Sequence, residues 1–233
     1  MSDYTEQKEK VLQTAQRLSE LGYFGTKSGS AGNVSMLIEG TPYAAVTPSG
    51  LPYPEMVVED IAIVNMEGDR IEGDREPSVE TGMHLACYKN RKDVNAVIHT
   101  HQLYASTFAL INHDVPALFD EVVVAIGNKI EIVPYGLSGS DDLLNNVVSK
   151  LVNRCHCYIL QNHGALAIGK NLDKAFTYIE LMEKVCTVYS RALATGLEVT
   201  TLDEMLSTAL HSITTSSQDM EIARKESLEQ AAN

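Results

Sequence analysis

Three histidines offer the most chemistry in this sequence. His99 and His101 stand two residues apart at the end of a short apolar run, Val94 to Ile98. In an extended strand, residues two apart project to the same face, so both imidazoles can approach one ion. His163 lies far away in sequence but also ends an apolar, strand-like run, within Gln161-Asn162-His163-Gly164. Three neutral imidazoles with one open position form a familiar catalytic zinc arrangement. The plainer alternative is three polar residues, each satisfied at its own strand end. The His-x-His spacing together with a third strand-end histidine brings the metal reading level with that alternative.

A second cluster, Pro77-Ser78-Val79-Glu80, puts a hydroxyl and a carboxylate at a predicted helix start. Free amides and the positive helix end favour an anion there. Glu80 fits a base or a fourth metal ligand, and equally a helix-start acid stabilised by the dipole. His84 follows one turn later. Two further stretches, Ser28-Gly29-Ser30-Ala31-Gly32-Asn33 and Thr47-Pro48-Ser49-Gly50, are rich in small residues and hydroxyls. Glycines let backbone amides approach a phosphate, although each stretch also suits a plain turn. Neither ends in Gly-Lys-Ser/Thr, so neither is a nucleotide P-loop.

The elements that must position these groups are legible from periodicity. Val11, Leu12, Ala15, Leu18 and Leu21 predict an amphipathic helix that stops at Gly22. Val34 to Ile38 and Tyr43 to Thr47 predict paired strands, and Ile61 to Met66 with the region of Ile71 predicts another pair. A helix is expected from Ser78, as its N-cap, to Asn90. Strands are expected around Val94 to Ile98, Ile130 to Pro134 and Tyr158 to Leu160, and a long helix from about Asp173 to Ala194. The stripe Ala175, Ile179, Met182, Cys186, Tyr189 and Leu193 marks the buried face of that helix. Residues 212–233 are polar without a clear apolar face, which predicts a C-terminal tail after a domain spanning 1–211. Hairpins interspersed with helices predict one layered α/β domain.

Composition bounds the partners. The chain has 233 residues, enough for a substantial core, with 44% apolar and 21% charged residues. A net charge of −13 opposes nucleic acid and anionic membranes, which leaves a small molecule as the expected partner. The first ten residues lack the apolar core of a secretory signal, and no run is long enough to span a membrane. The four cysteines are too scattered for a disulfide framework, so a reducing, cytoplasmic setting is expected. Cys155-His156-Cys157 leads straight into a strand-like run and is not read as a ligand set.

Five motifs, in this order, resemble the class II aldolase/adducin family. They are Ser28-Gly29-Ser30-Ala31-Gly32-Asn33-Val34-Ser35, Thr47-Pro48-Ser49-Gly50-Leu51-Pro52-Tyr53, Pro77-Ser78-Val79-Glu80 with His84, Val97-Ile98-His99-Thr100-His101, and Gln161-Asn162-His163-Gly164. The resemblance implies a single three-layer αβα domain with a mostly antiparallel central sheet. It implies zinc held by His99, His101 and His163, with Glu80 as resting ligand and catalytic acid/base. Mn²⁺, Co²⁺ or Fe²⁺ would suit the same ligands. It implies a phosphate pocket made by Gly32, Asn33, Ser49, Gly50 and Ser78, and a homotetramer with sites between subunits. The implied reaction is cleavage of a ketose 1-phosphate, of the L-fuculose 1-phosphate kind, to dihydroxyacetone phosphate and a small aldehyde through a metal-stabilised enediolate. Decarboxylases, 4-epimerases, dehydratases and non-catalytic adducin heads share the family. Two departures stand out. Val79 replaces a second serine before the glutamate. No tyrosine follows Pro116-Ala117, where the family's sugar-phosphate aldolases place a proton donor. Asp120 and Glu121 are the substitutes on offer there.

Overall fold

Alternation along three adjacent strands organises the molecule. The computed structural model describes residues 4–26 and 29–232, so Ser28 of the first glycine-rich motif lies outside the described residues. The elements run α1 (Thr5–Glu20), β1 (Asn33–Leu37), β2 (Tyr43–Val46), β3 (Ala62–Asn65), β4 (Arg70–Glu72), α2 (Thr81–Asn90), β5 (Ala96–Thr100), α3 (Leu103–Ile111), α4 (Asp120–Ala125), β6 (Glu131–Val133), α5 (Asp141–Lys150), β7 (Cys157–Leu160), β8 (Gly164–Gly169), α6 (Leu172–Ala194) and α7 (Glu204–Ala232). One eight-stranded sheet has the order β4-β3-β2-β1-β5-β8-β7-β6. Every neighbouring pair is antiparallel except β6 and β7.

The central strands β5, β7 and β8 are buried at every residue, which requires cover on both faces. Successive side chains divide between two cores. Ile98, Ile159, Ala165 and Ala167 join α1, α3 and α6 on one face. Val97, Tyr158, Leu160, Leu166 and Ile168 join α2 and α5 on the other. The result is the expected αβα layering, with the histidine-bearing strand in the middle of the sheet.

Two local readings need correction, and one short helix adds to them. The helix after Pro77 starts at Thr81, not at Ser78, and it is Glu80 that occupies its N-cap position. Ser78 stays outside the helix because its amide bonds the Thr47 carbonyl and Pro77 bridges Pro48. The expected boundary between 211 and 212 falls inside the continuous helix α7. That helix docks mainly through polar groups, which an apolar stripe does not reveal. Thr214 Oγ1 donates to the Val124 carbonyl at 2.7 Å, and Gln218 Nε2 donates to the Arg154 carbonyl at 2.9 Å. Lys225 Nζ donates to the Lys92 carbonyl at 2.6 Å. The short helix α4, too brief for a helical period to show, was not anticipated. Among the described residues, no helix is long and apolar enough to cross a membrane.

Ile98 is fully buried on the strand that carries His99. Ile98→Ala should cost about 2–5 kcal/mol, through lost transfer energy and a residual cavity. Urea unfolding with an unchanged slope would register this as a lowered midpoint, and an unshifted midpoint would contradict the placement.

Candidate metal centre and pocket

Each histidine is delivered by a different backbone device. His99 sits within β5, opposite Leu166 of β8. Its Nδ1 lies 2.9 Å from the Ala165 carbonyl oxygen, which only accepts, so Nδ1 carries the proton. Nε2 is therefore left with its lone pair facing the pocket, the tautomer a metal ligand needs. His101 follows just after β5, where its amide donates to the Tyr23 carbonyl at 2.8 Å. His163 occupies the turn between β7 and β8. Asn162 takes the left-handed conformation there, with φ of 53°, which asparagine tolerates better than most residues. The Asn162 amide is anchored on the Ala109 carbonyl at 3.1 Å.

These devices bring the three rings together. Centroids are 4.8 Å apart for His99 and His101, 4.7 Å for His99 and His163, and 5.2 Å for His101 and His163. One nitrogen from each ring lies within 4.8 Å of the other two. His99 Nε2 and His101 Nε2 are 3.0 Å apart. Nitrogen lone pairs this close either share one proton or converge on one cation. Burial, then the neighbouring His99 and His163, lowers the His101 pKa to about 3. Burial, then His99, lowers that of His163 to about 4. Both rings are accordingly neutral at neutral pH and able to act as ligands. The donor set fits a divalent ion.

Glu80 closes the group. Its carboxylate is buried, with Oε2 3.3 Å from His99 Nε2 and Oε1 3.3 Å from His163 Nε2. Asn33 Nδ2 donates to Oε2 at 2.7 Å, and Ser138 Oγ donates to Oε1 at 2.9 Å. Burial pushes its pKa up, but His99, Asn33, His163 and Ser138 together bring it down to about 2, so the group is ionised. Behind the site, fully buried His84 contacts Ser35 Oγ through Nδ1 at 2.7 Å, and that hydroxyl contacts the Tyr88 hydroxyl at 2.6 Å. His84 does not reach the pocket.

The five expected phosphate residues, Gly32, Asn33, Ser49, Gly50 and Ser78, line one cavity of about 260 Å³ with Glu80, His101 and His163. No lysine or arginine is among the described residues lining it. Gly32 has φ of +73°, and a Cβ there would meet the His99 carbonyl oxygen at 2.6 Å, so only glycine lets this loop pass over β5. Tyr53 Oη donates to the Gly32 carbonyl at 2.7 Å and pins the loop. Val79 also lines the cavity, where it supplies no hydroxyl. Asp120 and Glu121 lie on the exposed first turn of α4 and do not line this cavity. Glu121 is paired with Lys184 at 2.5 Å. Sequence reading missed Ser138, because no local motif marks it and 58 residues separate it from Glu80.

The fold and this constellation define a class II aldolase-type domain, and sequence comparison agrees. Residues 9–190 match the family described as Class II Aldolase and Adducin N-terminal domain. The chain belongs to that family, and it is an aldehyde-lyase of the class II aldolase type. A 5-deoxy-D-ribulose 1-phosphate aldolase of Bacillus thuringiensis serovar kurstaki is 35% identical over 172 residues, covering 74% of this chain and 80% of that protein. An L-fuculose phosphate aldolase of Escherichia coli is 33% identical over 175 residues, covering 75% of this chain and 80% of that protein. Among solved structures, an L-fuculose 1-phosphate aldolase superposes with a TM-score of 0.81 at 28% identity, covering 91% of this chain and 96% of that one.

Gly164 is the tightest point of the site. A Cβ there would collide with the Thr100 carbonyl oxygen and come within 2.9 Å of His101 Cδ2 and 3.2 Å of His99 Cε1. Gly164→Ala should therefore prise β8 from the end of β5 and lower metal occupancy sharply. Metal content per chain after dialysis measures this, and full occupancy would show that the rings tolerate the displacement.

Proposed function

We propose that this protein is a zinc-dependent aldolase that cleaves a ketose 1-phosphate, of the L-fuculose 1-phosphate or 5-deoxyribulose 1-phosphate kind, into dihydroxyacetone phosphate and a small aldehyde. The observation that carries this reading is a Glu80 carboxylate set between His99 and His163, 3.3 Å from each, at the base of a cavity rimmed by small hydroxyl and glycine residues. His99, His101 and His163 would hold the ion. When bound, it would supply Lewis-acid stabilisation of the negative charge that builds on the sugar oxygens during carbon–carbon cleavage. No lysine lines the cavity among the described residues, so a Schiff base has no local nucleophile.

The chain's own groups divide the remaining work. Gly32, Asn33, Ser49, Gly50 and Ser78 orient the phosphate through amides and hydroxyls, with one hydroxyl fewer because of Val79. In the condensation direction, ionised Glu80 takes the proton from the hydroxyl-bearing carbon of dihydroxyacetone phosphate. The electron pair left on that carbon then forms the new bond to the aldehyde carbon, and the aldehyde oxygen gains a proton. Cleavage runs the same steps backwards, so Glu80 returns the proton to carbon. In a homotetramer with sites between subunits, the exposed turn bearing Asp120 and Glu121 would serve a neighbour's pocket as the acid on the aldehyde side.

His99→Ala should lose both bound zinc and turnover, read by metal analysis and by dihydroxyacetone phosphate release from the two named sugars. A metal-free variant with full activity would sink the reading. Glu80→Gln should keep most of its zinc while turnover falls about 10²- to 10⁴-fold, the range for losing a positioned acid/base. Unchanged turnover there would remove Glu80 from the chemistry.

A further inference from the structure

The Glu80 carboxylate is gripped at both ends. Oε2 accepts from Asn33 Nδ2 at 2.7 Å and faces His99, whereas Oε1 accepts from Ser138 Oγ at 2.9 Å and faces His163. Asn33 comes from β1, inside the sheet. Ser138 comes from the loop joining β6 to α5, outside every motif that marks the site in sequence.

That loop is fitted to Glu80 from two sides. Its beginning is tied to the His163 turn, because the Tyr135 amide donates to Gln161 Oε1 at 3.0 Å. At Gly136 a Cβ would meet Leu143 Cα at 2.6 Å, so the chain passes directly against the start of α5. Gly139 has φ of +75°, and a Cβ there would lie 2.9 Å from the Val79 carbonyl oxygen. The residue after Ser138 thus presses on the residue before Glu80. The Ser140 amide donates to the Leu137 carbonyl at 2.9 Å, which closes the turn, and Ser140 Oγ caps α5 by accepting from the Leu143 amide. Ser138 is otherwise exposed, so no packing need explains a hydroxyl at this position.

We propose that Ser138 is a positioning residue for Glu80, fixing with Asn33 the plane of the carboxylate so that it meets the reacting carbon in one orientation. The proposal rests on Glu80 being the acid/base. A carboxylate held at one oxygen turns freely about its last bond. Held at both oxygens by neutral donors from separate elements, it cannot, and small errors in such aim are costly to rate.

Deuterium exchange into dihydroxyacetone phosphate, in deuterium oxide without aldehyde, reads the Glu80 proton transfer alone. In zinc-loaded protein, Ser138→Ala should slow this exchange about tenfold, the scale of one hydrogen bond to a charged group. KM for dihydroxyacetone phosphate, zinc content and unfolding temperature should stay unchanged. Ser138→Thr, which keeps the hydroxyl, should recover most of the rate. A crystal structure of metal-free Ser138→Ala should show the carboxylate turned out of its position between His99 and His163. Wild-type exchange, a raised KM with intact kcat, or an unmoved carboxylate in the metal-free variant would each overturn the proposal. Glu80→Gln separates the two possible failures. Full exchange in that variant removes the acid/base reading itself, whereas an inert Glu80→Gln beside a fully active Ser138→Ala removes only the role of Ser138.

Discussion

The hydrogen bond between His99 Nδ1 and the Ala165 carbonyl ties the sheet to the chemistry. It crosses the β5–β8 seam, 2.9 Å long, in the middle of the sheet. The carbonyl fixes the tautomer and the ring plane of His99, and the same strand pairing sets where β8 begins, and so where His163 sits. A one-residue slip of β5 against β8 would send His99 to the opposite face, among the apolar residues of α1, α3 and α6. Metal geometry and strand register are therefore one constraint, enforced by the burial of every residue in both strands.

The described lining of the pocket adds no cationic side chain to offset the charge of the whole chain. On the proposed function, a protein of net charge −13 would receive an anionic sugar in a cavity whose described lining holds no lysine or arginine. Recognition would then fall to glycine-exposed amides, neutral hydroxyls and the divalent ion of the proposed function. The amides and hydroxyls are directional and carry no net charge, so they favour fit over long-range attraction. The one acid in the cavity's described lining, Glu80, accepts hydrogen bonds from Asn33 and Ser138, which favour its ionised form.

Much of this was readable before folding, and the reasons differ by element. His99 and His101 announced themselves because a strand's period of two is visible at a spacing of two. The pairs around Gly40 and Gly68 were visible because turn residues interrupt apolar runs. Glu80 was visible as a residue but not in its setting. A helix beginning at Ser78 was the local inference, and a long-range bond to the Thr47 carbonyl moved the start to Thr81. Ser138 was invisible as a site residue, since no local rule links it to a carboxylate 58 positions away. Helix α7 is hidden from a sequence window because its docking groups, Thr214, Gln218 and Lys225, look like surface residues there.

The polar docking of α7 gives the molecule two tiers of cohesion. Met205, Ile213, Met220 and Leu228 remain exposed along that helix, and its grip comes largely from hydrogen bonds to carbonyls of the body. Water competes for such bonds far better than for the apolar contacts around β5 and β8. Such a helix is expected nearer the low-energy end of the opening spectrum than the fully buried strands β5 and β8. Loss of the final element need not disturb His99, His101 or His163, so fraying at this end and order at the centre are energetically insulated from each other.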